Sequence, residues 1–318
     1  MCFYIIMLKT ILVTGSSGLV GSAIQKIAHL YDYRFIFARS NDCDLTNYEQ
    51  TNAYFNKERP DIVIHLAACV GGLYKNMYNK VQMLEQNLLI NFNVLKCCHN
   101  IGVEQCICVL STCIFPDKTT YPIDETMMHN GPPHCSNDAY AYAKRMMEVH
   151  CSAYNEQYGT NYSCIIPTNI YGPNDNFSLE DGHVIPSLIH KCYLAKERGV
   201  PFEVRGTGAP IRQFIFSQDL AILIMGSVGR LKRENMIIAP NEEYSIKDVA
   251  IMIAQEYNYE DNIVFNSTYS DGQYKKTANN AKLRLMFPEF KFTPVEQGIR
   301  ESVDYFKYRY NDPNCRKS

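Results

Sequence analysis

The chain has 318 residues, 31 basic against 33 acidic side chains, a formal charge of −2 and 46% hydrophobic residues. These values fit a soluble globular protein of one large domain or two linked ones and exclude intrinsic disorder. The near-neutral balance, without a basic run, excludes a dedicated nucleic-acid surface, which needs clustered cations. The apolar stretch Met1 to Leu8 is too short for a membrane span or a secretory signal and reads as a lead-in to the fold. The 13 cysteines form no Cys-x-x-Cys pair, which argues against zinc clusters and thioredoxin-like sites. Scattered thiols such as Cys97, Cys98, Cys106 and Cys108 read as buried small hydrophobes of a cytoplasmic protein kept reduced.

In chain order, Thr10 to Thr14 is β-rich and Leu19 to Leu30 has helical apolar spacing. Arg34 to Ala38 is strand-like, Tyr48 to Lys57 helical, and Asp61 to Leu66 a buried strand. Met77 to Asn100 reads as one long helix, Gln105 to Leu110 as a strand, Tyr140 to Tyr158 as a second long helix, and Tyr162 to Ile166 as another strand. Short apolar runs between helices predict an α/β fold, a Rossmann-type doubly wound parallel sheet with its ligand crevice at the carboxyl ends of the strands. Residues 1–170 form the dinucleotide-binding domain in this reading, with segments around 214–240 returning to it. Residues 171–318 are mainly a smaller C-terminal α/β substrate lobe. Three helix starts are expected there: a capping box at Ser245-x-x-Asp248, another at Thr293-Pro294-x-Glu296 with proline at the first helical position, and a short helix after Thr277.

The first strand runs into Gly15-Ser16-Ser17-Gly18-Leu19-Val20-Gly21, which opens a helix. The chain must turn sharply there and let its backbone approach a pyrophosphate, whose charge the helix N-terminus favours. The second strand ends in Phe37-Ala38-Arg39-Ser40, with no carboxylate until Asp42. An acidic residue would bind a ribose 2′-hydroxyl and repel a 2′-phosphate; Arg39 does the reverse, so NADP(H) is the expected cofactor. Ala67, in Leu66-Ala67-Ala68, supplies the small side chain a close-lying cofactor needs.

Tyr140 and Lys144 stand at i and i+4 on the second long helix and so share a face. A lysine there is expected to lower the tyrosine pKa, so that the phenol exchanges a proton with a carbonyl oxygen while a nicotinamide exchanges hydride. Ser111, after the strand from Gln105, could hydrogen-bond the same oxygen. If that stretch is extended, Cys113 points the same way as Ser111.

The glycine spacing, the serine after a strand and then Tyr-x-x-x-Lys, in that order, resemble the short-chain dehydrogenase/reductases. Ser111-Thr-Cys113-Ile-Phe-Pro116, Tyr121-Pro-Ile-Asp-Glu125, Pro167-Thr-Asn-Ile-Tyr-Gly-Pro173, Asp175-Asn-Phe and His183-Val-Ile-Pro186 narrow the resemblance to the GDP-L-fucose synthases, an extended branch of that superfamily. The resemblance implies epimerisation at C3 and C5 of GDP-4-keto-6-deoxy-D-mannose, then NADPH-dependent reduction of the 4-keto group. It implies Cys113 as the base and His183 as the acid of the epimerisation, beside Ser111, Tyr140 and Lys144. Asp44 and Leu45 match the adenine-side pair. Val109, Leu110, Ser111 and Thr112, together with Pro167, Thr168, Asn169, Ile170 and His183, border the nicotinamide. Lys191, Arg212 and Asp271 match positions that hold the GDP moiety. Arg205 stands where the family has tryptophan, and could stack on a base, pair with a phosphate or alter nucleotide choice. The two long helices resemble the pair that forms a homodimer bundle. Two alternatives stay open: a related nucleotide-sugar epimerase or dehydratase, and a non-catalytic NADP-sensing protein.

Overall fold

A computed structural model of the chain describes residues 8–271, 273–313 and 315–317, with Leu73 and Tyr74 described by backbone alone. The lead-in expected at Met1 to Leu8 lies, but for Leu8, outside the described residues. Strand β1 (Thr10–Thr14) passes through the glycine turn into α1 (Leu19–Ile27), whose Val20, Ala23, Ile24 and Ile27 recur at helical spacing and are buried. β2 (Arg34–Ala38), α2 (Tyr48–Glu58) and β3 (Ile62–His65) follow. The helix expected from Met77 is two helices, α3 (Leu73–Tyr78) and α4 (Lys80–Ile101). Asn79 between them has φ −109° and ψ 39°, outside the helical basin. Its N–H closes α3 on Lys75 while its carbonyl accepts from Met83 in α4. Then come β4 (Gln105–Val109), α5 (Asp138–Tyr158), β5 (Tyr162–Pro167) and β6 (Asn169–Tyr171).

The second half contains α6 (Val184–Arg198), β7 (Phe202–Arg205), β8 (Ile211–Arg212), β9 (Phe214–Phe216), α7 (Ser217–Ser227) and β10 (Asn235–Ile238). β11 (Tyr244–Ser245), α8 (Ile246–Glu256), β12 (Ile263–Asn266), β13 (Lys275–Lys276), α9 (Ala281–Met286) and α10 (Val295–Arg309) complete the chain.

Six strands form one parallel sheet in the order β10-β5-β4-β3-β1-β2. Every residue of β1, β4 and β5 is buried, which is why these strands read as unbroken apolar runs. One face packs Ile24, Leu220 and Ile224 of α1 and α7; the other packs Phe55, Val94 and Met147 of α2, α4 and α5. Each such side chain contributes roughly 1.5–3 kcal/mol by leaving water. Cys97, Cys98, Cys106, Cys108, Cys151 and Cys164 belong to the second of these cores. The strand order reverses between β1 and β3, so two connections leave in opposite directions and a crevice opens at their carboxyl ends. A third core, built from α6, α8 and α10 over β7 and β12, forms the second lobe.

The helix starts of that lobe divide. Ser245 and Asp248 do form a reciprocal capping box on α8. Thr293 and Glu296 do not. Pro294 is the N-cap of α10, not its first helical residue, and Thr293 gives its N–H and hydroxyl to Asp219 at 2.7 and 2.9 Å. Nor does Thr277 cap a helix: it is buried, and α9 starts only after Asn280, with Asn279 accepting from Ala281 at 2.7 Å. Among the described residues no helix is long and apolar enough to cross a membrane.

Candidate active site

A crevice of about 1080 Å³ runs along the carboxyl ends of β1 to β5 and continues under the second lobe. Gly15, at φ +66°, lets the turn after β1 lie against β3; a Cβ there would meet the Ala67 nitrogen at 2.7 Å. Gly21 does the same for α1, since its Cβ would fall 2.5 Å from Cα of Ser16. Ser17, Gly18, Leu19 and Val20 line the crevice. Ser16 does not, because its hydroxyl turns inward and donates to the Ala38 carbonyl at 2.9 Å, tying the turn to β2. Arg39, Asp44, Leu45 and Ala67 line the same end. The Arg39 backbone N–H donates to Asp42 at 2.8 Å. Thr46 holds the Asp44 carboxyl below the usual carboxylate range by two hydrogen bonds.

The cradle fits a dinucleotide. The helix N-terminus at Gly18 and the basic Arg39 face one cavity. Buried polar atoms of its wall, Thr168 Oγ1 and Asn76 Oδ1, have no hydrogen-bond partner among the described residues. Val109, Leu110, Thr112, Pro167, Asn169 and Ile170 border it farther along.

Ser111, Tyr140 and Lys144 converge on this wall. Lys144 is buried, and its Nζ donates to the Val109 carbonyl at 2.9 Å and lies 5.9 Å from the Tyr140 ring centre. Burial pushes the ammonium down to about 8. Tyr140 departs from expectation. Burial pushes its phenol above the ordinary range, and Cys113 and Cys69 beside it push the same way. The phenol therefore holds its proton at neutral pH, the state a proton donor needs.

The stretch after β4 is a 3₁₀ turn over Thr112–Ile114, not the extended segment expected. Ser111 Oγ caps it by accepting from the Cys113 N–H at 3.4 Å. This turn puts the Cys113 thiol behind the crevice wall, in the core and in electrostatic reach of Tyr140, Lys144 and Lys276. His183 lines the crevice as the N-cap of α6.

Of the four expected nucleotide contacts, Arg212 alone lines the crevice. Its guanidinium donates to the carbonyls of Ile211 and Gln273 at 2.8 and 2.6 Å. Lys191, Arg205 and Asp271 gather farther out, near the carboxyl end of β7. Burial pushes the Lys191 amine down, with Arg205 beside it adding to the effect. Arg205 lies 4.8 Å over the Tyr269 ring. Asp271 accepts from the Thr207 N–H and hydroxyl, both at 2.7 Å.

Sequence reasoning missed four charged residues of the wall, Lys276, Asp175, Asp181 and Arg316, of which the first two lie nearest the expected chemistry. Lys276 lies opposite Arg212 in the pairing of β13 with β8 and lines the crevice; burial pushes its amine down while Cys113 pulls it back up. Asp175 lines it beside His183. The signals were a lysine pair just after Asp271 and a carboxylate shortly before His183, but neither acquires a position until the lobe folds.

The profile of the NAD dependent epimerase/dehydratase family matches residues 11–238. A GDP-L-fucose synthase of Dictyostelium discoideum is 51% identical over 308 residues, covering 95% of this chain and 96% of its own. A probable GDP-L-fucose synthase of Drosophila melanogaster is 46% identical and covers 96% of this chain and 99% of its own. The crystal structure of a GDP-L-fucose synthetase from Naegleria fowleri bound to NADP superposes with a TM-score of 0.92 at 44% identity, covering 97% of this chain and 95% of that one. On the glycine turn, the Ser–Tyr–Lys wall and these likenesses, the chain belongs to the NAD dependent epimerase/dehydratase family and, within it, to the GDP-L-fucose synthases.

Proposed function

We propose that the chain converts GDP-4-keto-6-deoxy-D-mannose into GDP-L-fucose, inverting C3 and C5 and then reducing the 4-keto group with NADPH. The observation that carries this reading is one cavity that joins a dinucleotide cradle to a wall of Ser111, Tyr140 and Lys144, with His183 facing in and Cys113 just behind. Gly15, Gly18 and Arg39 hold the cofactor, which supplies the hydride when bound. Tyr140 donates its phenolic proton to the carbonyl oxygen, and the Ser111 hydroxyl holds the same oxygen. The ketone acidifies the neighbouring C–H bonds; Cys113 removes a proton and His183 returns one from the opposite face. Lys276 is the countercharge for the thiolate this requires. Arg212, and beyond it Lys191, Arg205 and Asp271, receive the nucleotide. Tyr269 under Arg205 supplies an aromatic surface in a chain that has no tryptophan.

The same reading makes the protein a cytoplasmic homodimer, with residues 1–170 and the returning strand β10 as the cofactor domain. Leu89 and Phe92 of α4 and Met146 and Val149 of α5 are all exposed apolar side chains, which supports a second copy packing on this face. All described cysteines are free, which suits a reducing compartment.

The test is incubation with GDP-4-keto-6-deoxymannose and NADPH in heavy water. Loss of absorbance at the reduced nicotinamide band and a product of inverted C3 and C5 configuration are expected. Consumption of NADPH without inversion, or no consumption, overturns the proposal. In Cys113→Ala, deuterium entry at C3 and C5 should fall sharply; unchanged entry removes Cys113 from the mechanism.

A further inference from the structure

The loop between β6 and α6 is unusually well held for a connection on a crevice rim. Asn174 adopts the left-handed region at φ +67°, and its side chain accepts from the Tyr305 hydroxyl at 2.7 Å. Phe177 is fully buried against Phe306, with ring centres 4.8 Å apart, and its N–H donates to the Arg316 carbonyl at 2.6 Å. At the far end the Asp181 carbonyl accepts from Gly72 at 2.9 Å. The C-terminal segment thus straps the loop from behind, and Arg316 itself reaches the crevice.

Within this fixed loop Asp175 is 4% exposed. One carboxylate oxygen accepts from the Asn176 N–H at 2.7 Å; the other is buried with no hydrogen-bond partner among the described residues, and Asp175 lines the same wall as His183. A buried carboxylate with a bare oxygen is costly unless a cation compensates it. His183 and Arg316 lie within electrostatic reach of it.

We infer that Asp175 is a positioning residue for His183: its carboxylate, steadied by Arg316 of the C-terminal strap, orients the imidazole and stabilises the charged form that returns a proton to the sugar. The inference rests on the role of His183 proposed above. In that step an N–H bond of His183 breaks, and the electron pair of the sugar enolate forms the new C–H bond. The imidazole is left neutral, and Asp175 stays ionised throughout. Burial raises the Asp175 carboxyl to about 6 even with His183, the Asn176 N–H and Arg316 acting the other way, so most of it is ionised at neutral pH. Asn176 and Asp181 of the same loop, Asn76 of α3, and Val184 and Ile185 of α6 line the same crevice, as do the cations Arg212 of β8 and Lys276 of β13.

Deuterium entry at the epimerised carbons, followed from pH 7 to 9 in the wild-type protein and in Asp175→Asn, Asp175→Glu and Arg316→Gln, tests this. On this inference the alkaline limb of the Asp175→Asn profile moves to lower pH. At pH 8 the rate should fall about tenfold or more, with KM for NADPH within about twofold. Asp175→Glu should restore most of the rate, and Arg316→Gln, a change on an exposed segment, should move the limb the same way by less. An unmoved limb in Asp175→Asn or Arg316→Gln, or a loss equal at every pH that Asp175→Glu does not relieve, overturns the inference alone. Absence of deuterium entry in the wild-type protein overturns the proposed function and this inference with it.

Discussion

The two ends of the crevice are built by different means. The cofactor end is mostly main chain: Gly15 and Gly21 pack backbone on backbone, α1 presents its N-terminus, and the residues involved are contiguous in sequence. The sugar end is mostly side chain: Asp175, His183, Arg212, Lys276 and Arg316 arrive from four separate segments, and Arg212, Lys276 and Arg316 repel one another unless compensated. A backbone cradle tolerates side-chain variation and fails when a Cβ is added. A side-chain wall fails one charge at a time.

Perturbations sharpen that contrast in decreasing order. Tyr140→Phe, at the junction of the two ends, removes the proton donor, and reduction monitored by NADPH loss should slow roughly 10²–10⁴-fold. Normal turnover would remove Tyr140 from the chemistry. Arg39→Glu replaces attraction to a 2′-phosphate by repulsion. NADPH affinity measured by calorimetry should drop roughly a hundredfold, with NADH far less affected; equal losses would undo the cofactor assignment. Gly15→Ala forces a side chain into the left-handed region and against Ala67, at about 1–2 kcal/mol or more, so NADPH should bind about tenfold more weakly while sugar-nucleotide binding holds. Lys276→Met should slow deuterium entry at C3 and C5 about tenfold and leave NADPH binding unchanged; the opposite pattern would place Lys276 at the wrong end of the crevice. The smallest effect is a pH limb. Lys144 is charged below about 8 and loses its proton above it, so the reduction rate should decline as pH rises through that value, and Lys144→Arg should push the decline to higher pH.

Much of the cofactor end was legible because its determinants are local. A strand, a glycine turn and a helix must follow one another in sequence for the backbone to reach a pyrophosphate, and β1, α1 and β2 match the expected segments closely. Tyr140 and Lys144 were legible because one helix fixes their spacing. The turn at Thr112–Ile114 was not, since alternation alone makes Ser111-x-Cys113 look extended. Nor was the inward hydroxyl of Ser16, which depends on where β2 passes. Thr293 read as a cap because it stands before an apolar helix; only the packing of α7 reveals that Asp219 claims it.

The sequence by itself determined the parallel α/β frame, the dinucleotide cradle and the Tyr–Lys pair. Hydrophobic period, turn chemistry and helical spacing act over a few residues and leave their mark in the letters. Tertiary structure alone decided which charges share the sugar end. Lys276 reaches Arg212 through a strand register, and Asp175 meets His183 and Arg316 only once the C-terminal segment closes behind its loop. Electrostatic partnership depends on distance through space and on burial, and chain order encodes neither.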